Sequence, residues 1–251
     1  MSGFAGSATL MMGTPGAVLQ TTSQQIQQQE WIPTLIHKRI TTFRYLQRCF
    51  QGGMVLYNTA LVSEQEMRAI WTDEKMQRRS QQYFFLGTSL ATILEIPITG
   101  DCLKALTNVL QEYDHFAAAE SRSKSIFSKS GRKATSDGRT FEETGEYSYL
   151  EVRTLPFNLD YIITTSTLCD MIGLLYEKLW EQQQQDKLWN FQVLESFQKI
   201  DAKFKKILTT MYKELEAVSR DVMIQEFAAL DPLASTSMAL HDDDWNSMKS
   251  Y

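Results

Sequence analysis

Residues 188–230 read LWNFQVLESFQKIDAKFKKILTTMYKELEAVSRDVMIQEFAAL, and this stretch decides the fold. Phe197, Ile200, Phe204, Ile207, Met211, Leu215, Val218 and Val222 follow one another at steps of three and four. That is the period of one face of an α-helix. No Gly or Pro falls between Leu174 and Asp231, so nothing in the backbone interrupts the run. A helix from about Leu188 to Leu230 is roughly 64 Å long at about 1.5 Å per residue. Gln182 to Asp186 is the expected turn before it. One continuous rod is the alternative, because Gln propagates helix well.

Working back from that helix, Asn158 is placed to cap a fourth helix with Leu159, Ile162, Leu168, Ile172, Leu175 and Leu179 inward. Asp101 is placed to cap a third, with Leu103, Leu106, Leu110, Tyr113 and Phe116 on one face. Ser63-Glu64-Gln65-Glu66 has the form of a capping box and opens a second helix through Met67, Ile70, Trp71, Phe84, Leu90, Ile93 and Leu94. Ile96-Pro97 stops it, since the residue before Pro avoids helical geometry. The first helix carries Leu35, Ile36, Ile40, Phe43, Leu46, Phe50 and Met54. It is expected to begin near Trp31-Ile32-Pro33, where Pro suits a first turn, and to weaken at Gly52-Gly53. The expectation is an all-α chain: an elongated up-and-down bundle of about five helices with a long C-terminal helix.

The segments outside this pattern have their own composition. Residues 1–29 are uncharged and rich in Gly, Ser, Thr and Gln, and are expected to be a disordered leader. Within the 30–230 bundle domain, residues 120–147 form an expected flexible loop, basic at first and acidic at its end. Residues 231–251 are an expected acidic, flexible tail. Tyr149 to Arg153 alternates like a strand but is too short to make a sheet alone.

Composition narrows the function classes. The 251 residues are 43% hydrophobic and 22% charged, with 12 Gly and 5 Pro, too few turn formers for a sandwich or barrel. A net charge of −5 gives no general attraction to nucleic acid, which is not an expected partner. Cys49, Cys102 and Cys169 are odd in number and far apart, so neither a disulfide framework nor a zinc module is expected. No Lys or Arg precedes Lys38, against a signal or transit peptide. The longest apolar-leaning stretch without charge, Ser80 to Leu94, falls short of the ~20 apolar residues of a membrane span. A cytoplasmic protein is expected, and the Gln runs and hydroxyl-rich loop suit a eukaryotic one.

Catalytic signatures are scarce. There is no Gly-rich phosphate loop, no GxSxG elbow and no HExxH. Glu112 and His115 share a helix face at the spacing of a di-iron site, but such sites need a second copy and further inward glutamates. Both are read as solvated residues at a helix end, with His115 favoured there by the helix dipole. The cysteines read as small hydrophobes. The expectation is a chain without catalytic residues, cofactor or metal.

Binding features are more numerous. The helices before the last are shorter, so either part of its stripe projects or pairs with another chain, or the helix bends or breaks near Asp221 and folds back on the bundle. On the first of these readings Phe204, Ile207, Met211, Leu215 and Val222 are the candidate partner-binding residues. In the tail Trp245 follows Asp242-Asp243-Asp244 and is a candidate for docking into a partner's groove. Arg132-Lys133 precede Thr135 and Ser136, a pattern basophilic kinases accept, and phosphate there would add about −1.5 to −2 charge. Tyr147 to Leu150 spans an aromatic-x-x-aliphatic step of the kind read by coat adaptors or autophagy receptors; the plainer reading packs Tyr147, Tyr149 and Leu150 onto the bundle. The first helix holds Lys38, Arg39, Arg44 and Arg48 without an acid from Trp31 to Val62. Such a helix can meet anionic lipid, at about 1 kcal/mol per basic residue, or acids on a neighbouring helix. The function expected is a non-enzymatic adaptor or scaffold working through protein contacts, self-association included, in trafficking, cytoskeletal or regulatory assemblies. Lipid binding through the basic first helix is the alternative.

Overall fold

The structure, a computed structural model, describes residues 15–98, 100–122, 147–185 and 191–230. Among the described residues, six helices and one hairpin stand in the order α1 (Pro15–Gln51), β1 (Met54–Leu56), β2 (Ala60–Val62), α2 (Glu64–Ile70), α3 (Asp73–Leu94), α4 (Gly100–Arg122), α5 (Tyr161–Gln185) and α6 (Phe191–Leu230). The chain is mostly helical, as the periodicities require.

α1 begins at Pro15, so residues 15–29 of the expected leader are helical, and residues 1–14 lie outside the described part. Pro15 occupies the first helical position, where its missing N–H costs nothing, and after Gly16 in the first turn no glycine follows until Gly52. Pro33 is consequently interior rather than initial. An interior Pro costs about 3 kcal/mol. Ile32 and Ile36 on either side of it are fully buried, each contributing about 1.5–3 kcal/mol, which offsets it.

α1 ends at Gln51 because Gly52 and Gly53 adopt φ of +82° and +76°. At Gly52 a Cβ would also lie 2.6 Å from the Glu64 backbone nitrogen, so glycine is required there. Met54, expected as the last residue of the helical face, instead starts an antiparallel hairpin with Val55 opposite Leu61. Tyr57 and Asn58 both have positive φ, the sign a type I′ turn needs at its two central positions, and the Thr59 N–H donates to Leu56 at 2.9 Å.

The second expected helix is two helices. Ser63 caps α2 in the expected box with Glu66, and Thr72 then caps α3. α5 starts at Tyr161, and Asp160 rather than Asn158 caps it, accepting from the Ile163 N–H at 2.9 Å. α4 extends to Arg122, into the expected loop; residues 123–146 lie outside the described part, as do 186–190 between α5 and α6. Tyr149 to Arg153 forms no strand, because the N–H groups of Tyr149 and Leu150 are taken by the Glu112 carboxylate and that of Glu151 by the Ser89 hydroxyl.

Helices adjacent in sequence are not all adjacent in space. α1 packs along α5, α5 along α3, α3 along α4 and α4 along α6, which returns to α1 and the hairpin. α1 and α5 run antiparallel, with Phe50 beside Tyr161 and His37 beside Trp180. α3 and α5 run parallel, with Tyr83 beside Tyr161 and the Lys178 ammonium on the Leu94 carbonyl. An up-and-down succession would have made every neighbouring pair antiparallel. The centre is filled by Phe43, Tyr176, Phe197 and Phe204, with Tyr176 meeting the other three at centroid distances of 6.2, 6.4 and 5.9 Å.

Candidate functional site

The α6 stripe faces inward. Phe204, Ile207, Met211, Leu215 and Val222 are all buried within this chain's own bundle, which corrects their assignment as a free partner-binding surface. The 3–4 period was read correctly as one face; α4, α1 and the hairpin are what cover it. Trp245, Thr135 and Ser136 lie outside the described residues.

The basic face of α1 is divided. Arg39 is buried and donates from Nε to Asp201 Oδ1 at 2.7 Å and from Nη2 to Oδ2 at 2.8 Å, while the Tyr176 hydroxyl donates to Oδ1 at 2.8 Å. Hydrogen bonding to Asp201 holds the guanidinium above its ordinary pKa. Arg44 pairs with Glu177 on α5. Lys38 and Arg48 are exposed. Two of the four residues offered for lipid are thus committed to acids on α5 and α6.

Glu112 is buried rather than solvated. Its carboxylate accepts from the backbone N–H groups of Ser148 at 3.0 Å, Tyr149 at 2.8 Å and Leu150 at 2.7 Å. Leu150 is buried and Tyr147 packs edge-on against Phe116, as in the plainer reading of this segment as chain re-entering the bundle, but Tyr149 departs from that reading and is exposed. All three cysteines are buried. Among the described residues no group of three or more His, Cys, Asp or Glu is arranged to hold a metal, and no helix is long and apolar enough to cross a membrane.

A second, partly buried polar cluster joins α3, α5 and α6. Glu214 accepts from the Tyr161 hydroxyl and lies 3.3 Å from Arg79 Nε. Burial pushes the Glu214 carboxyl above its ordinary 4.5, partly opposed by Tyr161 and Arg79. Tyr83 is fully enclosed beside this cluster, with its ring stacked on Tyr161 and its hydroxyl without a hydrogen-bond partner.

Among the described residues, the end of α6 and the hairpin each expose clustered apolar side chains. Residues 224–230 of α6 are exposed throughout, and Ile224 (59% exposed), Phe227 (65%) and Leu230 (79%) step by three along these last turns. The hairpin presents a second surface. Val55 (49%) and Leu61 (60%) are cross-strand partners facing away from the bundle, while Leu56, Ala60 and Val62 face in. The Tyr57 hydroxyl pins the hairpin to α6 by donating to the Tyr212 carbonyl at 2.9 Å. From Tyr212 to Ile224 is roughly 18 Å along the axis, so both surfaces lie at the same end of the bundle.

A groove of about 390 Å³ runs between α3 and α5. Tyr83, Phe84 and Gly87 line one side and Ile163, Leu168 and Met171 the other. Gly87 is buried, and a Cβ built on it would meet only the Met171 sulfur, at an ordinary 3.6 Å. Neither the backbone nor the packing demands glycine there, although Gly inside a helix costs roughly 0.5–1 kcal/mol against Ala.

No family model, curated protein or solved structure matches this chain.

Sequence reasoning missed both open surfaces. The α6 tip had a signal: Ile224, Phe227 and Leu230 sit off the Met211–Leu215–Val218–Val222 line and so had to face elsewhere. The hairpin had one too, in Met54-Val55-Leu56 and Ala60-Leu61-Val62 around Tyr57-Asn58. The groove had none, because its two walls are about 75 residues apart in sequence and parallel α3/α5 packing is not written in either helix.

Proposed function

We propose that the chain is a non-enzymatic helical adaptor that acts through protein–protein contacts at the hairpin end of the bundle. The observation that carries this reading is the exposed apolar end of α6, Ile224, Phe227 and Leu230, projecting past the last buried position of its stripe, Val222. Clustered apolar surface left open on a folded chain is the usual mark of a contact site. The hairpin's Val55 and Leu61 add a second patch at that end. The interface is therefore moved from the inward stripe to the helix tip. The cytoplasm, and trafficking or cytoskeletal assemblies, are the settings proposed for it.

The test is affinity purification from native cells, with the full chain and with its Phe227→Glu, Leu230→Glu variant. Stoichiometric partners or self-association lost from the variant, with the melting temperature unchanged, would support the reading. A variant that keeps every partner would overturn it. Lipid docking through α1 is the weaker reading, because Arg39 and Arg44 are already paired within the bundle.

A further inference from the structure

We propose that the groove between α3 and α5 is a binding site for a neutral, apolar small molecule with an aliphatic or aromatic body. The inference stands apart from the adaptor reading and uses a different face. At about 390 Å³ the groove falls within the roughly 300–1,000 Å³ of small-molecule sites.

Its walls state the chemistry. Apart from the Tyr83 hydroxyl, which is buried and unpartnered, the polar side chains that line it are already engaged. The Thr88 hydroxyl bonds the Phe84 and Phe85 carbonyls at 3.2 and 3.0 Å, Thr164 bonds Asp160 at 2.6 Å, and Thr167 bonds Ile163 at 2.8 Å. The one acid on the rim, Asp160, pairs with Arg68 and accepts the Ile163 N–H. Asn158 accepts from Gln77 at 3.2 Å. A charged ligand would find no counter-charge here and would lose its hydration without return. An uncharged apolar body would lose nothing of the kind and would gain the aromatic and aliphatic walls.

Gly87 gives the site its depth. A methyl at this position would fit against Met171 and would strengthen α3, yet the position carries none. What its absence provides is space at the floor, opposite a thioether that adapts its shape readily.

The test uses the full-length chain and the neutral fluorescent probe N-phenylnaphthylamine, with decanol and decanoate as competitors. The expected result is saturable binding of one probe per chain, displaced by decanol and at least about tenfold less well by decanoate. Gly87→Leu should fill the floor and weaken binding by about tenfold or more, with an undiminished melting temperature. Should that variant fold poorly, Ala91→Leu decides the question, since Ala91 lines the groove at an exposed position and its replacement leaves the core alone. No saturable binding, unchanged binding in the folded variants, or equal competition by decanoate would each overturn the proposal. So would binding that appears only in a Trp245→Ala full-length variant, which would make the tail the occupant.

Discussion

Asp201 grips Arg39 with both carboxylate oxygens, at 2.7 and 2.8 Å, inside the bundle and 162 residues away in sequence. With the Tyr176 hydroxyl on the same carboxylate, three helices are tied at one buried point. Asp201→Ala would strand the guanidinium and should cost about 3–5 kcal/mol by chemical denaturation. Removing all three polar partners together, as Arg39→Met, Asp201→Leu and Tyr176→Phe, should cost less than the single change. A triple variant no more stable than Asp201→Ala would mean that the network adds stability beyond relieving unpaired charge.

The inward and outward residues of α6 should respond oppositely to charge. Met211→Glu places a carboxylate in the core without a partner and should abolish cooperative thermal unfolding followed by circular dichroism. Phe227→Glu lies in water already and should stay within about 0.5 kcal/mol of the parent. Equal tolerance of both would contradict the orientation of the helix.

Glu214 predicts a pH dependence. Its folded pKa is raised above 4.5, chiefly by burial, so between the unfolded and folded values the native state holds more protons than the unfolded one. Stability therefore falls as pH rises above about 4.5 through the folded pKa. Glu214→Gln removes this term. Its melting temperature relative to the parent should rise as pH moves from about 4.5 to 7. A difference independent of pH would show that Glu214 does not titrate in that window.

Glu112→Ala should release the segment that Glu112 holds through three N–H groups. Hydrogen bonds to a charged group contribute about 1.5–3 kcal/mol, so amide exchange at Ser148, Tyr149 and Leu150 should accelerate roughly 10- to 100-fold. Amides of Leu86 and Leu90 in α3 should be unaffected. Unchanged exchange at 148–150 would mean that the packing of Leu150 alone suffices.

The helical class and most core positions were legible in the sequence because a 3–4 apolar step reports burial directly: Ile36, Ile40, Phe43, Leu46 and Phe50 are all inside. The Ser63–Glu66 box was legible because its geometry is local. What sequence could not carry was which helix covers which. The α6 stripe looked too long to be covered, but covering it takes α4, the hairpin and the ends of α1 and α2, elements whose meeting depends on tertiary packing. Glu112 looked solvated because its three N–H partners lie 36 to 38 residues downstream. The Gly87 floor stayed invisible for the same reason, since Met171 opposite it belongs to α5.

The placement of α5 between α1 and α3 sets an order of events during synthesis. Arg44 waits for Glu177, 133 residues later, which at about 5–20 residues per second is roughly 7 to 27 s of translation. Throughout that interval the ribosome carries α1 through α4 with Ile36, Phe43 and Phe50 lacking the helix that will enclose them. Contacts so distant in the chain also slow folding once it begins. A nascent chain of this design leaves that apolar face uncovered until α5 has left the exit tunnel. Truncation anywhere before Tyr161 leaves an aggregation-prone product rather than a smaller working module.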